Sequence, residues 1–558
     1  MTQFGDWSRR RVLQAASLAG LTIGAVETGV AATEETTADA IKWDNTAVGA
    51  TWSSPTVVDG TVYIGTGDTG LVALDAETGD RHWQRDMPAF GYSSPCVVDG
   101  VCYAKPWQGE TVYALDAATG DQLWALNSLG TDLPGTSHCS PTVLGDTCYV
   151  GAGDTMYAVD IFTGDIRWEH TTPEGDVNID PIYDGGVAVI QEACYVTNRR
   201  GIWSFDVETG EKRWGSGRIR FKNFEHRYGD ITIPQFPSSP VVVDGTVYIT
   251  GNIIGALDAD SGEFLWTYSS DYLVDHWTTP TIVDDVLFVI GWRPDVDILP
   301  TSGKETELVR EVAALDISGE SPSPIWHEAI GGTPALSSPT AVGNQFFATS
   351  LSIDDPPSNL YNRQQNAFAE RFTPDDQSVT PIATDRASGS SPTVVDGTCY
   401  VGYRNGVVAI DAGGSGSSNG ARVTQGVLGH HHVWANRASI DIDQLDLRVD
   451  ASTLARNETT NATVEATLAD GRTVDVTDRA TLASDNSTII AVAGRGPLVG
   501  GMPGTTAVRA RFANETAATR MSVSESTTGD SIPAIGAVGT AAAIGAGAYA
   551  YSQIDTDD

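Results

Sequence analysis

The chain has 558 residues, 41% of them hydrophobic, and a formal charge of -39 from 72 acidic against 33 basic residues. A length of that order exceeds one small core, and the apolar content excludes a disordered chain. A balance this acidic excludes nucleic acid as a partner, because phosphate binding needs a net basic face.

Only five residues are lysine: Lys42, Lys105, Lys212, Lys222 and Lys304. A carboxylate-rich, lysine-poor surface is of the extreme-halophile type, since concentrated salt screens like charges over a few ångströms. A surface matched to one cationic partner is the alternative. At the N-terminus, Ser8, Arg9, Arg10, Arg11, Val12 and Leu13 precede the apolar run AASLAGLTIGAV, with small residues VAA at 30–32. Residues 1–32 therefore resemble a twin-arginine export signal. A protein on that route folds in reducing cytoplasm. Its six cysteines (Cys96, Cys102, Cys139, Cys148, Cys194, Cys399) lack zinc-ligand spacing and read as buried thiols or as one or two late disulfides.

From residue 53 the chain repeats itself. SSPTVVDGTVYIG at 53–65 returns as YSSPCVVDGVCYA, HCSPTVLGDTCYVG, PSSPVVVDGTVYITG, TTPTIVDDVLFVIG, SSPTAVGNQFFATS and SPTVVDGTCYVG, with a degenerate copy beginning at 179. The marker prolines fall at 55, 95, 141, 181, 240, 280, 339 and 392, and the shortest spacing suits a four-stranded unit. Within each unit a β-branched run reaches a two-residue turn, often Asp-Gly, and returns as a second strand. A third strand then ends at Asp, Thr-Gly makes the next turn, and a Trp follows on a fourth, as in ALDAETGDRHW at 73–83.

The pattern AxDxxTGxxxW resembles the tryptophan-docking motif of the pyrroloquinoline quinone (PQQ)-like repeat β-propellers. The resemblance covers residues 40–436 and implies an all-β fold: an eight-bladed β-propeller of four-stranded blades. Trp83, Trp124, Trp168, Trp214, Trp266 and Trp326 would wedge between blades, each burying on the order of 200 Å². Blade 8 ends at VVAIDAGG without its Trp. The strand IKWDN at 41–45, carrying Trp43, is expected to complete it and close the ring.

Residues 437–525 change composition. ATVEATLADGRTVDVTDRATLASDNSTIIAV followed by PGTTAVRARF resembles the group 2 bacterial immunoglobulin-like domain, a β-sandwich, with Leu482 where an aromatic is common. Four sequons, at Asn457, Asn461, Asn486 and Asn514, suit a glycosylated stalk. A linker at 526–531 leads to twenty uncharged residues at 532–551, long enough for a transmembrane helix, and an acidic tail at 552–558. A flexible or processed tail is the alternative to a membrane anchor.

In a propeller, the connections on the face where the innermost strand begins carry the long inserts: 125–137, 169–178, 215–236, 293–310, 351–365 and 373–388. Three positions before the marker prolines stand Trp52, Tyr92, His138, Asn178 and Trp277, an aromatic and polar set at the channel mouth that either stacks on a flat ligand or packs the strand starts. Arg218, Arg220, Lys222, His226 and Arg227 gather in RIRFKNFEHRYGD, to receive an anionic ligand or to pair with neighbouring carboxylates. His430, His431 and His432 are adjacent and a poor metal set, and no metal site is expected.

Quinoprotein dehydrogenases of the resembled family hold PQQ beside calcium, with a carboxylate base and a disulfide between adjacent cysteines; this chain has no Cys-Cys pair. The same repeats also build non-enzymatic propellers. Two functions follow: a membrane-anchored cell-surface module binding a protein or small ligand without a cofactor, as a monomer, or a PQQ-dependent dehydrogenase oxidising an alcohol or sugar. A hydrolase is disfavoured, since no GxSxG motif with triad context is present.

Overall fold

The computed structural model describes residues 40–524 except 92, 108, 110, 128, 130–138, 172–184, 191, 199–200, 217–226, 229–230, 233–237, 252, 269–277, 284, 295–307, 331–336, 343–344, 352–366, 374–377, 382–389, 415–416, 419–426, 429–439, 441, 494–496 and 514. The export signal and the apolar segment 532–551 lie outside the described residues. Among those described, no helix is long and apolar enough to cross a membrane. The chain forms two compact units, one made of residues up to 437 except 98–101 and 161–163, the other of the residues from 438 on together with those two short stretches.

The first unit is a ring of eight antiparallel sheets, the expected β-propeller. Blade 1 runs Thr56–Val58, Thr61–Gly65, Leu71–Asp75 and Arg81–Arg85, strands A to D from the channel outward. Blade 8 has Thr393–Val395, Thr398–Tyr403 and Gly406–Asp411, and takes Ile41–Asn45 as its outermost strand. That strand pairs antiparallel, Trp43 opposite Ala409 and Asn45 opposite Val407, so the expected closure is present. The Lys42 ammonium donates to Thr398 Oγ1 at 2.6 Å, and Tyr403 Oη donates to Asp44 Oδ1 at 2.7 Å.

The seams explain the docking motif residue by residue. The strand-C aspartate closes its turn, as Asp75 Oδ1 accepts the N–H of Glu77 and Thr78 at 3.0 and 2.8 Å. The next carbonyl then faces the preceding blade. Ala117 O accepts both Trp83 Nε1 (2.9 Å) and Tyr63 Oη (3.1 Å), and Ala259 O accepts Trp214 Nε1 and Tyr195 Oη. The ring-closing seam does the same, with Trp43 Nε1 and Tyr400 Oη both on Ala76 O. The indole face lies on the turn glycine. A Cβ on Gly120 would stand 2.7 Å from Trp83, and Gly79, Gly164, Gly210 and Gly262 meet Trp43, Trp124, Trp168 and Trp214 in the same way. Trp326 is buried and Trp266 is partly buried, each beside an aromatic on strand B.

Two expectations need correction. In blade 4 the register pairs Ala188 with Tyr195, as Thr56 pairs with Tyr63, so Gly185, Gly186 and Val187 occupy the Ser-Ser-Pro positions and Pro181 is not the marker. The stretch 373–388 is also no simple insert. It holds strand D of blade 7, Ser378–Pro381, beyond a four-residue turn. All six cysteines are free and buried, which settles the choice between thiols and disulfides for this structure. Burial pushes the Cys96 thiol up to about 12.

The second unit is all-β. One sheet pairs Ile442–Val449, Ala462–Leu468 and Thr473–Asp475; the others include the long hairpin Gly504–Phe512 with Glu515–Val523. Alternate residues of Ala462–Leu468 are buried, as in a strand with one face on a core. Leu454, Ile490, Leu498, Val508 and Met521 form that core, with Leu482 packed against it.

Two outcomes test the seams. Gly120→Ala and Gly60→Ala both place a side chain at positive φ (+76° and +75°), but nothing lies within 4 Å of a Cβ on Gly60. Urea unfolding is expected to show a loss of about 1 kcal/mol for Gly60→Ala and about 2–4 kcal/mol for Gly120→Ala, the excess being overpacking. Equal losses would show that the indole contact is unimportant. The turn aspartates supply the second test. Hydrogen bonds from the Thr78 N–H, the Thr209 N–H and the Ser261 hydroxyl hold Asp75, Asp206 and Asp258 below the ordinary 3.8. A depressed folded pKa contributes stability that is present above the ordinary value and lost as pH falls through the folded one. Melting temperature is therefore expected to fall on acidification below that value, and less steeply in the triple Asp→Asn variant at these three positions.

Candidate functional site

The two faces of the ring differ in how they are connected. Every A–B turn has two residues, and the C–D turns have four to six. The B–C connections range from two residues to fifteen, and the D–A connections from nine to twenty-four. Length variation is thus confined to the face on which strand A begins, as the repeat register predicted. On a rigid scaffold, that is where binding surfaces reside.

The Ser-Ser-Pro-Thr marker anchors this rim, a role the sequence analysis did not find. The first hydroxyl latches strand B of its own blade: the N–H of Gly65 donates to Ser53 Oγ (3.3 Å), Thr250 to Ser238 (2.9 Å), Thr349 to Ser337 (3.2 Å) and Gly402 to Ser390 (3.2 Å). Cys139 Sγ stands in for this oxygen and accepts the Gly151 N–H at 3.2 Å. The second hydroxyl joins blades. Ser391 N–H donates to Ser54 Oγ, Ser54 N–H to Ser94 Oγ, and Ser94 N–H to Ser140 Oγ, at 2.9 to 3.0 Å. On the other side of the ring the same bonds run from Gly186 through Ser239, Thr279 and Ser338 to Ser391. The marker threonine adds a third tie, Thr56 Oγ1 donating to Pro95 O and Thr393 Oγ1 to Pro55 O, both at 2.7 Å. Hydroxyls in this belt are buried and satisfied, so they hold the rim and do no chemistry.

Four of the five mouth residues directly precede a latch position. Trp52 precedes Ser53 and is half-buried, and its neighbour Thr51 is tied to blade 8 by its N–H on Tyr403 O (3.1 Å) and its hydroxyl on Gly406 O (2.9 Å). Tyr92, His138 and Trp277 precede Ser93, Cys139 and Thr278 in sequence but lie outside the described residues, as does Asn178. Asn178 also loses its reason for selection, because in the corrected register Asp184 precedes the latch position of blade 4. Of the basic group, Arg218, Arg220, Lys222 and His226 lie outside the described residues, and Arg227 falls in the short strand Arg227–Tyr228, paired with Ile231–Thr232. His430, His431 and His432 are outside them too. Asn457, Asn461 and Asn486 are exposed, and Asn486 Oδ1 accepts both the Thr488 N–H (3.0 Å) and hydroxyl (2.7 Å); Asn514 is not described.

Lys105 is a feature that sequence reasoning passed over. It is 1% exposed at the end of strand B in blade 2, where the other blades carry Gly65, Gly151, Thr197, Thr250, Ile290, Thr349 and Gly402. Three of those threonines donate to the latch carbonyl of the next blade, as Thr197 does to Ser238 O at 2.6 Å. The position therefore lies in a seam just beneath the rim. A lysine this deep requires hydrogen-bonding or charged partners. No sequence signal marks it, because burial there is set by the neighbouring blade.

Among the described residues no three His, Cys, Asp or Glu side chains converge as a metal set. The free cysteines are likewise separated in sequence, with no adjacent pair.

A family model described as outer membrane protein assembly factor BamB matches residues 26–268 and 147–350, more than half of the chain. Quinohemoprotein alcohol dehydrogenase of Comamonas testosteroni is 33% identical over 87 residues, 14% of this chain and only 12% of that relative's length. The crystal structure of BamB from Moraxella catarrhalis is 17% identical, with 64% of this chain and 84% of that one covered at a TM-score of 0.40. The Comamonas testosteroni dehydrogenase structure is 14% identical, with 70% and 76% covered at a TM-score of 0.44. The family match runs over the blades whose indole–glycine seams define the ring, and the chain belongs to this BamB-like family of PQQ-like repeat proteins.

Proposed function

We propose that this protein is an exported, membrane-anchored β-propeller that acts at the cell surface as a binding or scaffold module. Its insert-bearing face engages a protein or a small ligand. The observation that carries the reading is the asymmetry of the ring: two-residue A–B turns in every blade on one face, against connections of up to twenty-four residues on the other. Membership of a family whose named member is an assembly factor supports it. In this reading residues 1–32 direct twin-arginine export and 532–551 anchor the chain in the membrane. The unit at 437–525 is an immunoglobulin-like stalk glycosylated at its sequons, and the acidic surface suits high salt. The partner is a membrane or surface protein, or a small ligand, and no second copy of the chain is required.

The local similarity to a quinohemoprotein alcohol dehydrogenase favours one second reading, a PQQ-dependent dehydrogenase acting on an alcohol or sugar. One set of measurements separates the two. Crosslinking in intact cells is expected to recover a specific partner through the insert face. Trp52→Ala with Trp277→Ala is expected to weaken that capture about thirty-fold, the effect of losing an aromatic anchor worth about 2 kcal/mol, without lowering the melting temperature. Unchanged capture by the double variant would remove the channel mouth from the binding surface. A quinone absorbance shift on adding PQQ and calcium, with dye-linked alcohol oxidation, would replace the scaffold reading with the enzymatic one.

A further inference from the structure

The outermost strands of the blades are sheet edges, and charged side chains guard most of them. Arg81 and Arg85 do so in blade 1, Arg167 and Glu169 in blade 3, Lys212 and Arg213 in blade 4, and Lys42 and Asp44 in blade 8. The corresponding strand of blade 5, Phe264–Tyr268, has no charged residue, and its outer edge pairs with no described strand. Phe264 and Leu265 are exposed, as is Ile325 in the outer strand of blade 6, Ser323–Ile330. Among the described residues of the ring, Ile166 is the one other large hydrophobic so exposed, and it stands next to Arg167. The seam between blades 5 and 6 also departs from the indole–glycine pattern. Its turn, ISGESP at 317–322, has Glu320 where the others place glycine, four residues after the strand-C aspartate. A Cβ on Gly319 would meet only backbone atoms of Ser321. Trp266 is therefore left partly buried, and its indole N–H has no acceptor among the described residues.

Blade 3 shows what this strip lacks. There the residue before the tryptophan is Arg167, whose guanidinium lies 2.7 Å from Asp146 of the A–B turn and also bridges Asp160 at the end of strand C. His82 stands in the same place in blade 1, 3.8 Å from Asp75. Leu265 and Ile325 occupy it in blades 5 and 6, and no described cation bridges Asp258 or Asp316. Glu263 and Glu320 are exposed in the turns beside them. We propose that the outer strands of blades 5 and 6 form a second interaction surface, which takes an extended apolar segment of a protein partner bearing lysine or arginine. Charge selects this occupant: a second copy of the chain would bring the same carboxylates, whereas a basic segment supplies the missing counter-ions. Backbone pairing along the open edge of blade 5 gives affinity, and the partner's apolar side chains cover Phe264, Leu265 and Trp266. Its cation does for Asp258 what Arg167 does for Asp160. The surface lies on the circumference of the ring and does not depend on what the insert-bearing rim binds.

The test uses the full-length chain and two short fluorescein-labelled peptides with the same alternating valine–threonine core, one ending in lysines and the other in glutamates. Fluorescence anisotropy is measured at the lowest salt that leaves the melting temperature unchanged, because screening weakens the charge pairs. The lysine peptide is expected to bind with a dissociation constant below about 1 mM, and about ten-fold more tightly than the glutamate peptide. Leu265→Arg rebuilds the blade 3 arrangement in blade 5. It is expected to weaken the lysine peptide about ten-fold while the melting temperature holds or rises. Equal affinities for the two peptides, no binding of the lysine peptide, or undiminished binding by Leu265→Arg would each overturn the proposal. A dimer in analytical ultracentrifugation that Leu265→Arg dissociates would also overturn it, by giving the strip to a second copy.

Discussion

Five seams of the ring turn on an indole lying against a turn residue that has no side chain. The contact is demanding on both sides: the glycine must tolerate positive φ and leave room for the ring, and the carbonyl beside it must be aimed at the indole N–H. The strand-C aspartate does the aiming by closing the turn. Tyrosine on strand B shares the same carbonyl, so two side chains from one blade depend on one turn of the next. No blade completes its own seam. That is why the last blade borrows Ile41–Asn45: without Trp43, the turn at Ala76 and Gly79 would have nothing to receive. Closure joins strands more than 360 positions apart, so the two termini of the ring form one cooperative element.

Periodicity made this much readable. A motif that returns eight times exposes both its constant positions and its strand order, and the closing strand follows from a missing tryptophan. What the repeat concealed was the purpose of its hydroxyls. Ser53 and Ser54 look like ordinary strand-start residues, and only the neighbouring blade reveals that one latches strand B while the other carries a belt across seams. Blade 4 shows the cost of reading by residue identity. Its proline at 181 resembles the marker, yet the marker positions are held by Gly185 and Gly186. A Cβ on Gly185 would collide with Thr197 Oγ1, which fills the space of the missing serine and donates to Ser238 O. The geometry is kept while the chemistry that supplies it moves to another strand.

The candidate site was legible in a different degree. Which face varies follows from repeat register, because insert lengths are counted along the chain, and connection lengths in the fold agree. Lys105 was invisible for the opposite reason. It is one lysine at the end of a strand, and nothing local says that the adjacent blade covers it. Its counterparts in register are glycine, threonine or isoleucine, so blade 2 alone places a lysine at this position. In a chain of this acidity such a charge sets blade 2 apart from the rest of the scaffold.

The asymmetry of the two faces then has a common physical origin. Turns that receive indoles cannot lengthen or change without losing a seam, so the C–D face is held nearly uniform by packing. The A–B turns share that face, and four of their aspartates, Asp59, Asp99, Asp244 and Asp396, adopt positive φ, a constraint that again leaves little room for variation. Ser417 and Ser418 add hydrogen bonds to the innermost strand of blade 8 and its A–B turn there. The opposite rim is anchored from beneath by hydroxyl latches that involve backbone amides and leave the residue just before each latch free to differ. A scaffold that fixes one face by packing and the other by backbone hydrogen bonds assigns variation to the second, and with it the capacity to recognise something outside the ring.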